Sequence, residues 1–436
     1  MNGIELSVLL LRARGLAVLR GVLSSPAMGD FLTLLGLLEA ERSDPAAVAE
    51  TFGRLWQELT VESGDLLPDA WRSHLVGRLL DDENPFSLAA EREELTSTLV
   101  EQTRRDLRTL RSLFDLEANT LLGLVEATVP RLEGVWVPWR DPEPAANLSR
   151  RGEPRRVLAR KLAAAEDWGD LVETLAEHYA THGAGLLGHY RAFRWEDGGL
   201  KPVSRPDPVR LMGLIGYERE REPLLRNTER LLARLPAHHA LLYGLPGTGK
   251  SSTVKAVAYE YANRGLRLVE LAKEDLKDLP QILETICGRG PRFILFVDDL
   301  SFEEHEVEYK SLKALLEGSI EESPGNVRLY ATSNRRNLIR ERFSERDEAD
   351  DVHARDTMQE KLSLAARFGL RVTFPAPDQR RYLEIVFGLV EERGLKISGE
   401  VLKERALLWD RWHAGRSGRT ARQFVDELEA ELTDAR

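Results

Sequence analysis

One short segment of the sequence has glycine, lysine and serine at the spacing needed to hold phosphate groups. Residues 244–251 read GLPGTGKS, which fits the pattern GxxxxGK[ST] completely. Glycines let the backbone curl so that successive N–H groups point at phosphate oxygens. The ammonium of Lys250 would reach the β- and γ-phosphates, and the hydroxyl of Ser251 would ligate Mg²⁺. The predicted binding residues are Pro246, Gly247, Thr248, Gly249, Lys250, Ser251 and Ser252.

The residues on either side of this loop predict the elements that must position it. The apolar run ALLY at 240–243 precedes the loop, and the helical stretch STVKAVAYEYANR at 252–264 follows it. A helix that begins near Ser251 would add the positive end of its dipole to the phosphate site. A strand, a glycine-rich loop and a helix in this order favour a nucleotide-binding loop over a simple glycine-rich turn.

A second candidate site lies where another apolar run ends in two carboxylates. Residues 293–299 read FILFVDD, and such a run is typical of a central strand that is buried on both faces. Carboxylates at its C-terminal end would open onto the crevice where open α/β sheets bind ligands. Asp298 would hold Mg²⁺, and Asp299 would orient and polarise an attacking water. The alternative, an Asp pair that caps the next helix, is less favoured because the phosphate loop lies about 50 residues upstream.

Apolar periodicity places these motifs in an α/β region that follows a helical region. Leucines recur at three-, four- and seven-residue steps over residues 1–130, which predicts helices. From Leu211 onward, short apolar runs alternate with helical segments, which predicts βαβ units and a parallel sheet. After Pro375 and Pro377 the pattern is helical again. The predicted strands are 240–243, 266–271, 293–297, 328–331 and 370–374.

Composition limits the classes of protein to which the chain can belong. Its 436 residues include 61 Lys and Arg against 72 Asp and Glu, a net charge of −11 that disfavours general coating of nucleic acid. The single cysteine, Cys287, excludes an internal disulfide, and its apolar surroundings predict burial. The apolar run Val8–Leu11 is interrupted by Arg12, so we expect neither a signal peptide nor a membrane span. We therefore predict a cytoplasmic protein with no membrane partner.

Four motifs in fixed order resemble those of the AAA+ ATPases. They read GTGKSS, FVDDLSFE, YATSNRR and EKLSLxxRFGL, and together they resemble a bacterial AAA+ family that carries the same set. The resemblance covers about residues 205–436. It implies an α/β P-loop NTPase fold, with a parallel sheet and a C-terminal helical lid, that uses ATP or ADP together with Mg²⁺.

The resemblance also implies roles for single residues. Asn334 matches the sensor 1 position, whose amide would hold the lytic water or a γ-phosphate oxygen. Arg367 matches the arginine finger and Arg419 matches sensor 2, with Arg371 and Arg422 near enough to be alternatives. Arginine suits both roles because its planar, permanently charged fork fits phosphate oxygens. The residues expected to flank adenine are Leu214, Ile215, Gly216 and Tyr217.

Two departures from the AAA+ pattern narrow the expected activity. Most AAA+ ATPases end the Walker B strand in Asp-Glu, whereas this chain has Asp298 and Asp299. The shorter second side chain could slow hydrolysis or require a different position of the water. The segment 271–276 reads LAKEDL and lacks the aromatic residue and the glycine of a threading pore loop. A protein-unfolding machine is therefore disfavoured.

Together these observations predict three parts and one main activity. We expect a mostly α-helical N-terminal domain at 1–200 that binds a partner or substrate, an AAA+ α/β core at 205–375 and a helical lid at 376–436. The predicted activity is Mg²⁺-dependent ATP hydrolysis at subunit interfaces of a homo-oligomer, either a hexameric ring or an open helix, that remodels or switches a partner macromolecule. The alternatives are a slow nucleotide-gated switch and a protein resembling helicase loaders that acts on nucleic acid, a partner that the net charge disfavours.

Overall fold

The computed structural model describes residues 6–62, 66–139, 152–301, 307–317, 324–334, 364–413 and 415–434. Contacts divide the chain into two units. The first unit comprises Met1–His189 together with Arg289–Pro291, and the second comprises Tyr190–Gly288 together with Arg292–Arg436. Residues 190–200, which we expected at the end of the first domain, therefore belong to the second unit.

The first unit is helical in its described residues, as the leucine periodicity predicts. Buried leucines at the predicted spacing, such as Leu107, Leu110 and Leu113 on one helix, join a single apolar core. The helices are α1 (Leu6–Arg14), α2 (Pro26–Glu39), α3 (Pro45–Glu62), α4 (Ala70–Asp81), α5 (Pro85–Arg92), α6 (Ser97–Phe114), α7 (Ala118–Thr128), α8 (Glu153–Ala164), α9 (Val172–His182) and α10 (Gly185–His189).

Two carboxylates inside the first unit are heavily bonded. Asp106 Oδ2 accepts hydrogen bonds from the backbone N–H groups of residues 17–19 at 2.7–3.1 Å. The side chain of Glu91 is 0% exposed; its Oε2 accepts from Arg289 Nε at 2.7 Å and from the N–H of Gly290 at 2.9 Å. These bonds offset the cost of burying the two charges.

The second unit is built on a seven-stranded sheet whose order is β2-β1-β4-β5-β6-β3-β7. All neighbouring strands pair in parallel except β2, which pairs with β1 in the antiparallel direction. The five predicted strands are confirmed in place. The strands are β1 (Ala192–Glu196), β2 (Gly199–Pro202), β3 (Ala240–Gly244), β4 (Leu266–Leu271), β5 (Arg292–Val297), β6 (Val327–Ser333) and β7 (Leu370–Phe374).

The stretch 197–210, which spans the predicted boundary between the N-terminal domain and the α/β core, contains part of a β-hairpin. Asp197 and Gly198 have φ angles of 53° and 72° and connect β1 to β2. Two positive φ angles in a two-residue connection match the hairpin turn that follows the natural twist of strands. The Asp-Gly pair was therefore a hairpin signal, and the abundance of glycine and proline around it concealed that signal.

Helices flank the sheet and follow it. None of the helices in the described ranges combines the length and apolar character needed to cross a membrane. Cys287 lies one residue beyond α13 and is exposed, so the prediction that it is buried is wrong. The helices are α11 (Glu218–Leu232), α12 (Lys250–Tyr261), α13 (Leu279–Ile286), α14 (Val307–Glu317), α15 (Gln379–Glu392), α16 (Gly399–Trp412) and α17 (Gly418–Asp434).

Candidate nucleotide-binding site

The predicted phosphate loop connects the end of β3 to the start of α12. Gly247 and Gly249 have φ angles of 77° and 87°, in the left-handed region that favours glycine. A Cβ atom on Gly244 would lie 2.1 Å from the carbonyl oxygen of Phe374, so no larger residue fits there. The glycines at 244, 247 and 249 are thus each required by the backbone, and the loop has the curled form that directs N–H groups inward.

The side chain of Lys250 lies inside this loop. Its Nζ donates hydrogen bonds to the carbonyl oxygens of Gly244 and Leu245 at 2.8 and 2.9 Å and to Asn334 Oδ1 at 3.0 Å. Burial lowers the pKa of Lys250, and attraction to Asp298 and Asp299 opposes that shift. The ammonium group of Lys250 is therefore held at the place where phosphates would bind.

The two predicted carboxylates lie beside the loop, at the end of β5. Asp298 Oδ1 accepts from the hydroxyl of Ser251 at 2.6 Å and from the hydroxyl of Thr332 at 2.5 Å. Asp299 Oδ1 accepts from Asn334 Nδ2 at 2.7 Å. Both aspartates are exposed. Parallel pairing of β3, β5 and β6 brings these ends together, because the carboxyl ends of parallel strands lie at one edge of a sheet.

A cavity of about 500 Å³ opens at this edge of the sheet. Its volume falls within the usual range for small-molecule sites. The predicted residues that line it are Leu214, Ile215, Tyr217, Pro246, Gly247, Thr248, Gly249, Lys250, Ser251, Ser252, Asp298, Asp299, Asn334 and Arg419. Further lining residues, for which we made no site prediction, are Gly213, Arg221, Thr253, Thr332, Phe374, Ile385, Leu389, Gly418, Gln423 and Asp426.

One wall of the cavity is apolar. Leu214 and Ile215 come from the segment before α11, whereas Ile385 and Leu389 come from α15. Tyr217 donates its hydroxyl proton to the carbonyl oxygen of Pro375 at 2.8 Å, which fixes the ring. Burial raises the pKa of this phenol, so it stays a neutral donor. The periodic apolar residues of α15 were recognisable in the sequence, but their direction toward the cavity was not.

The predicted residues Gly216 and Arg367 are not among those that line this cavity. Gly216 has a φ angle of 91°, and a Cβ there would lie 3.1 Å from Cγ1 of Ile385, so it packs the preceding segment against α15. Arg367 ends a short helical turn at 364–367, and its alternative Arg371 is exposed on β7. The assignment of the finger to Arg367 stays a prediction.

The start of α17 lies directly on the phosphate loop. The N–H of Gly418 donates to the carbonyl oxygen of Gly247 at 2.9 Å. The Ser417 hydroxyl accepts from the N–H of Thr420 at 3.0 Å, which caps this end of the helix. Arg419 and Arg422 both line the cavity, so the choice between them for the sensor 2 role stays open. The C-terminal helices thus supply two cations to the same space as Lys250.

A family model and one relative each match part of this chain. A family model described as "Protein of unknown function (DUF815)" matches residues 188–432, more than half of the chain. The 26S proteasome regulatory subunit 6B homolog of Dictyostelium discoideum is 24% identical over 182 residues, which cover 38% of this chain and 40% of that protein. The chain thus spans less than half the length of this relative.

Solved structures of the Thermotoga maritima RuvB Holliday junction branch migration motor are also similar. One is 19% identical, covers 52% of this chain and 66% of that chain, and has a TM-score of 0.37. A second RuvB structure from the same organism, of a variant with one substitution, gives the same identity and coverage with a TM-score of 0.38. The P-loop, the parallel sheet and the family match lead to one assignment: the chain belongs to the DUF815 family and is a member of the AAA+ ATPase superfamily.

Proposed function

We propose that this site binds ATP and hydrolyses it to ADP and phosphate. The observation that carries the proposal is a bonded network of Lys250, Ser251, Asp298, Asp299 and Asn334, which the Thr332 hydroxyl joins into one. These side chains come from the ends of two strands and the start of one helix. Their types are those that phosphoryl transfer requires: a mobile cation, a hydroxyl and two carboxylates, together with an amide.

Each residue of the network has a distinct task in this proposal. Lys250 exchanges its bonds to loop carbonyl groups for bonds to the β- and γ-phosphates. Asn334 holds the attacking water or a γ-phosphate oxygen, and Asp299 orients and polarises that water. Arg419, or its neighbour Arg422, adds positive charge to the phosphoryl group as negative charge develops in the transition state.

The residues at the site fit Mg²⁺. Ser251 Oγ and Asp298 Oδ1 are 2.6 Å apart beside the phosphate loop, and both are hard oxygen donors of the kind that Mg²⁺ prefers. Ser251 would ligate the ion directly, and Asp298 would hold it through water. When bound, Mg²⁺ neutralises charge on the phosphate oxygens.

We further propose that Arg367 acts on the ATP of a neighbouring subunit. Its position outside the cavity of its own chain supports this, because a finger supplied in trans must point away from its own site. The active form is then a homo-oligomer, in a ring or an open helix, with six subunits in the ring. ATP binding would change subunit packing, and the helical first unit, whose main segment ends at His189, would transmit this change to a protein partner. The core at 205–375 and the lid at 376–436 would carry the nucleotide.

Phosphate release from wild type, Lys250→Ala and Lys255→Ala tests the ATPase proposal. Lys255 lies on the same helix, and its Nζ is 3.8 Å from Glu270, away from the network, so it is the matched control. We expect Lys250→Ala to lose more than about 100-fold in ATP affinity or turnover, because it removes the ammonium group that would bind the β- and γ-phosphates. Lys255→Ala should keep wild-type turnover. A wild-type protein that releases no phosphate at any concentration would refute hydrolysis.

A second experiment tests whether the site is shared between subunits. We expect turnover per chain to fall on dilution and Arg367→Ala to lower it by about 1,000-fold, within the range known for arginine fingers. Arg371→Ala tests the alternative assignment of the finger and should keep activity if Arg367 is the finger. Insensitivity to both dilution and Arg367→Ala would contradict the oligomeric site.

Two alternatives remain, each with its own specific result. The Asp298-Asp299 ending allows a slow switch, which would bind ATP tightly and turn it over less than about once per minute. A loader that acts on nucleic acid requires stimulation by DNA, and this stimulation must fall steeply with salt. The net charge of −11 disfavours this second alternative.

A further inference from the structure

Strand register places one buried hydroxyl beside both carboxylates of the site. β5 and β6 pair in parallel with Val297 opposite Ala331, so the next residues along each strand are Asp298 and Thr332. β5 ends at Val297, whereas β6 continues to Ser333 and therefore extends past Thr332. Thr332 is 1% exposed. Thr332 therefore lies in the regular part of β6, next to the residues that follow the end of β5.

Thr332 makes three hydrogen bonds to the segment that follows β5. Its hydroxyl accepts from the N–H of Asp299 at 2.9 Å and donates to Asp298 Oδ1 at 2.5 Å. Its carbonyl oxygen accepts from the N–H of Leu300 at 2.7 Å. One residue of β6 therefore determines both the path of the backbone after β5 and the rotation of the Asp298 carboxylate.

The backbone at Asp299 depends on such a tether. Its φ angle is 52°, in the left-handed region, which costs a residue with a Cβ on the order of 1 kcal/mol. The N–H of Asp299 is bonded to the Thr332 hydroxyl, and this bond stabilises the turn. The turn places the Asp299 carboxylate 2.7 Å from Asn334 Nδ2 rather than along the line of the strand.

We propose that Thr332 is a positioning residue for ATP hydrolysis, because its hydroxyl sets the orientation of both carboxylates. The inference rests on the proposed function. Asp298 Oδ1 is held from two sides, by Ser251 of α12 and Thr332 of β6, and this fixes the rotation of the carboxylate beside Ser251, the other residue expected to hold Mg²⁺. Asp299 is held through its backbone, so its carboxylate stays within reach of the water. Thr332 itself contacts neither phosphate nor water in this scheme.

The test compares Thr332→Val, which keeps the shape and removes the hydroxyl, with Thr332→Ser, which keeps the hydroxyl. We expect Thr332→Val to lower kcat for phosphate release by about 10- to 100-fold, as misplaced catalytic groups do. The Mg²⁺ concentration for half-maximal turnover should rise several-fold, while affinity for a fluorescent ATP analogue in EDTA stays within about twofold. Thr332→Ser should keep kcat within about threefold of wild type.

The matched control is Thr228→Val, which removes another fully buried hydroxyl of the same unit. Thr228 bonds Leu224 and Tyr330, away from the cavity, so turnover should not change. If Thr332→Val fails to fold, Thr332→Cys replaces the hydroxyl by a weaker donor of similar size and should fall between serine and valine. Wild-type kcat and Mg²⁺ dependence in Thr332→Val, or equal losses in the serine and valine variants, would overturn the inference.

Failure of the proposed hydrolysis is distinguishable from failure of this inference. A wild type that binds ATP without turnover refutes hydrolysis, but Mg²⁺ must still strengthen its ATP binding. Thr332→Val must then lose most of that Mg²⁺ enhancement while Thr332→Ser keeps it. Equal enhancement in wild type and Thr332→Val would overturn the role of Thr332. A wild type that binds no ATP overturns both.

Discussion

The buried Glu91 of the first unit and the two carboxylates of the candidate site differ in what holds them. Glu91 is fully buried and is bonded to the charged Arg289, which also pairs with Glu83 at 2.7 Å. Asp298 and Asp299 are exposed, and the hydrogen bonds described above come to their carboxylates from hydroxyl and amide groups. The first arrangement cancels negative charge, whereas the second orients it and leaves it in place.

This difference separates a structural carboxylate from one that can bind a metal. A guanidinium neutralises its partner and satisfies its lone pairs, so little attraction remains for another cation. Neutral hydrogen-bond donors restrict the rotation of a carboxylate but do not neutralise its negative charge. Lys250 is the cation that belongs to this bonded network, but its described bonds go to carbonyl oxygens of the loop and of Asn334. We therefore expect variants of the two regions to affect different measurements.

The largest effect is expected at the site itself, from Asp299→Asn. The amide keeps the size of the side chain but removes its charge, so turnover should fall by about 1,000-fold, within the usual range for a lost acid–base group. ATP affinity and thermal stability should stay close to wild type, because the carboxylate is exposed. Glu274→Gln, another exposed carboxylate of this unit, is the control and should keep its turnover. A large loss of stability in Asp299→Asn would break the comparison.

A smaller effect, on stability alone, is expected from Arg289→Ala. It leaves the buried charge of Glu91 without its guanidinium and should lower the free energy of unfolding by about 3 kcal/mol. Denaturant unfolding measures this loss, and ATP affinity per folded molecule should change by less than about twofold. Arg54→Ala removes an exposed pair with Asp30 in the same unit and should shift the midpoint little. Equal shifts in the two variants would contradict a structural role for the buried pair.

The smallest effect is expected on the pH dependence of stability, through the neutral side chain of His239. Burial, with Arg328 and His238 nearby, lowers the pKa of His239 from 6.5 to about 4, and its Nδ1 accepts from the N–H of Leu329 at 3.0 Å. The folded state therefore binds fewer protons than the unfolded state between these values. The contribution of neutral His239 to the free energy of unfolding is therefore complete well above pH 6.5 and is progressively lost as the pH drops toward 4.

Urea unfolding of wild type and His239→Gln at pH 7 and pH 4.5 measures this dependence. The variant cannot take up the proton, so the difference between the two proteins should be smaller at pH 4.5 than at pH 7. If the two proteins differ in the free energy of unfolding by the same amount at both pH values, protonation of His239 does not cause the loss of stability. Turnover at pH 7 should be unchanged in the variant, since His239 does not line the cavity.

Local patterns in the sequence were enough to predict the strands and the phosphate loop. The run at 293–297 lies within β5, because a strand buried on both faces is apolar along its length. The β1–β2 hairpin was missed, since Asp197-Gly198 lay among other glycines and prolines. Thr332 was missed because one threonine in an apolar strand carries no signal of its own. Its importance depends on the residue opposite it in the neighbouring strand.

The sequence by itself determined that this protein has a phosphate-binding loop, an acidic strand end and a parallel sheet. Each of these is a local property of consecutive residues, set by glycine conformations and apolar runs. Only the tertiary structure decided that Thr332 tethers Asp298 and Asp299, and that Arg419 and Arg422 line the same cavity as Lys250. Those relations depend on strand register and on where α17 packs, which join residues far apart in the chain.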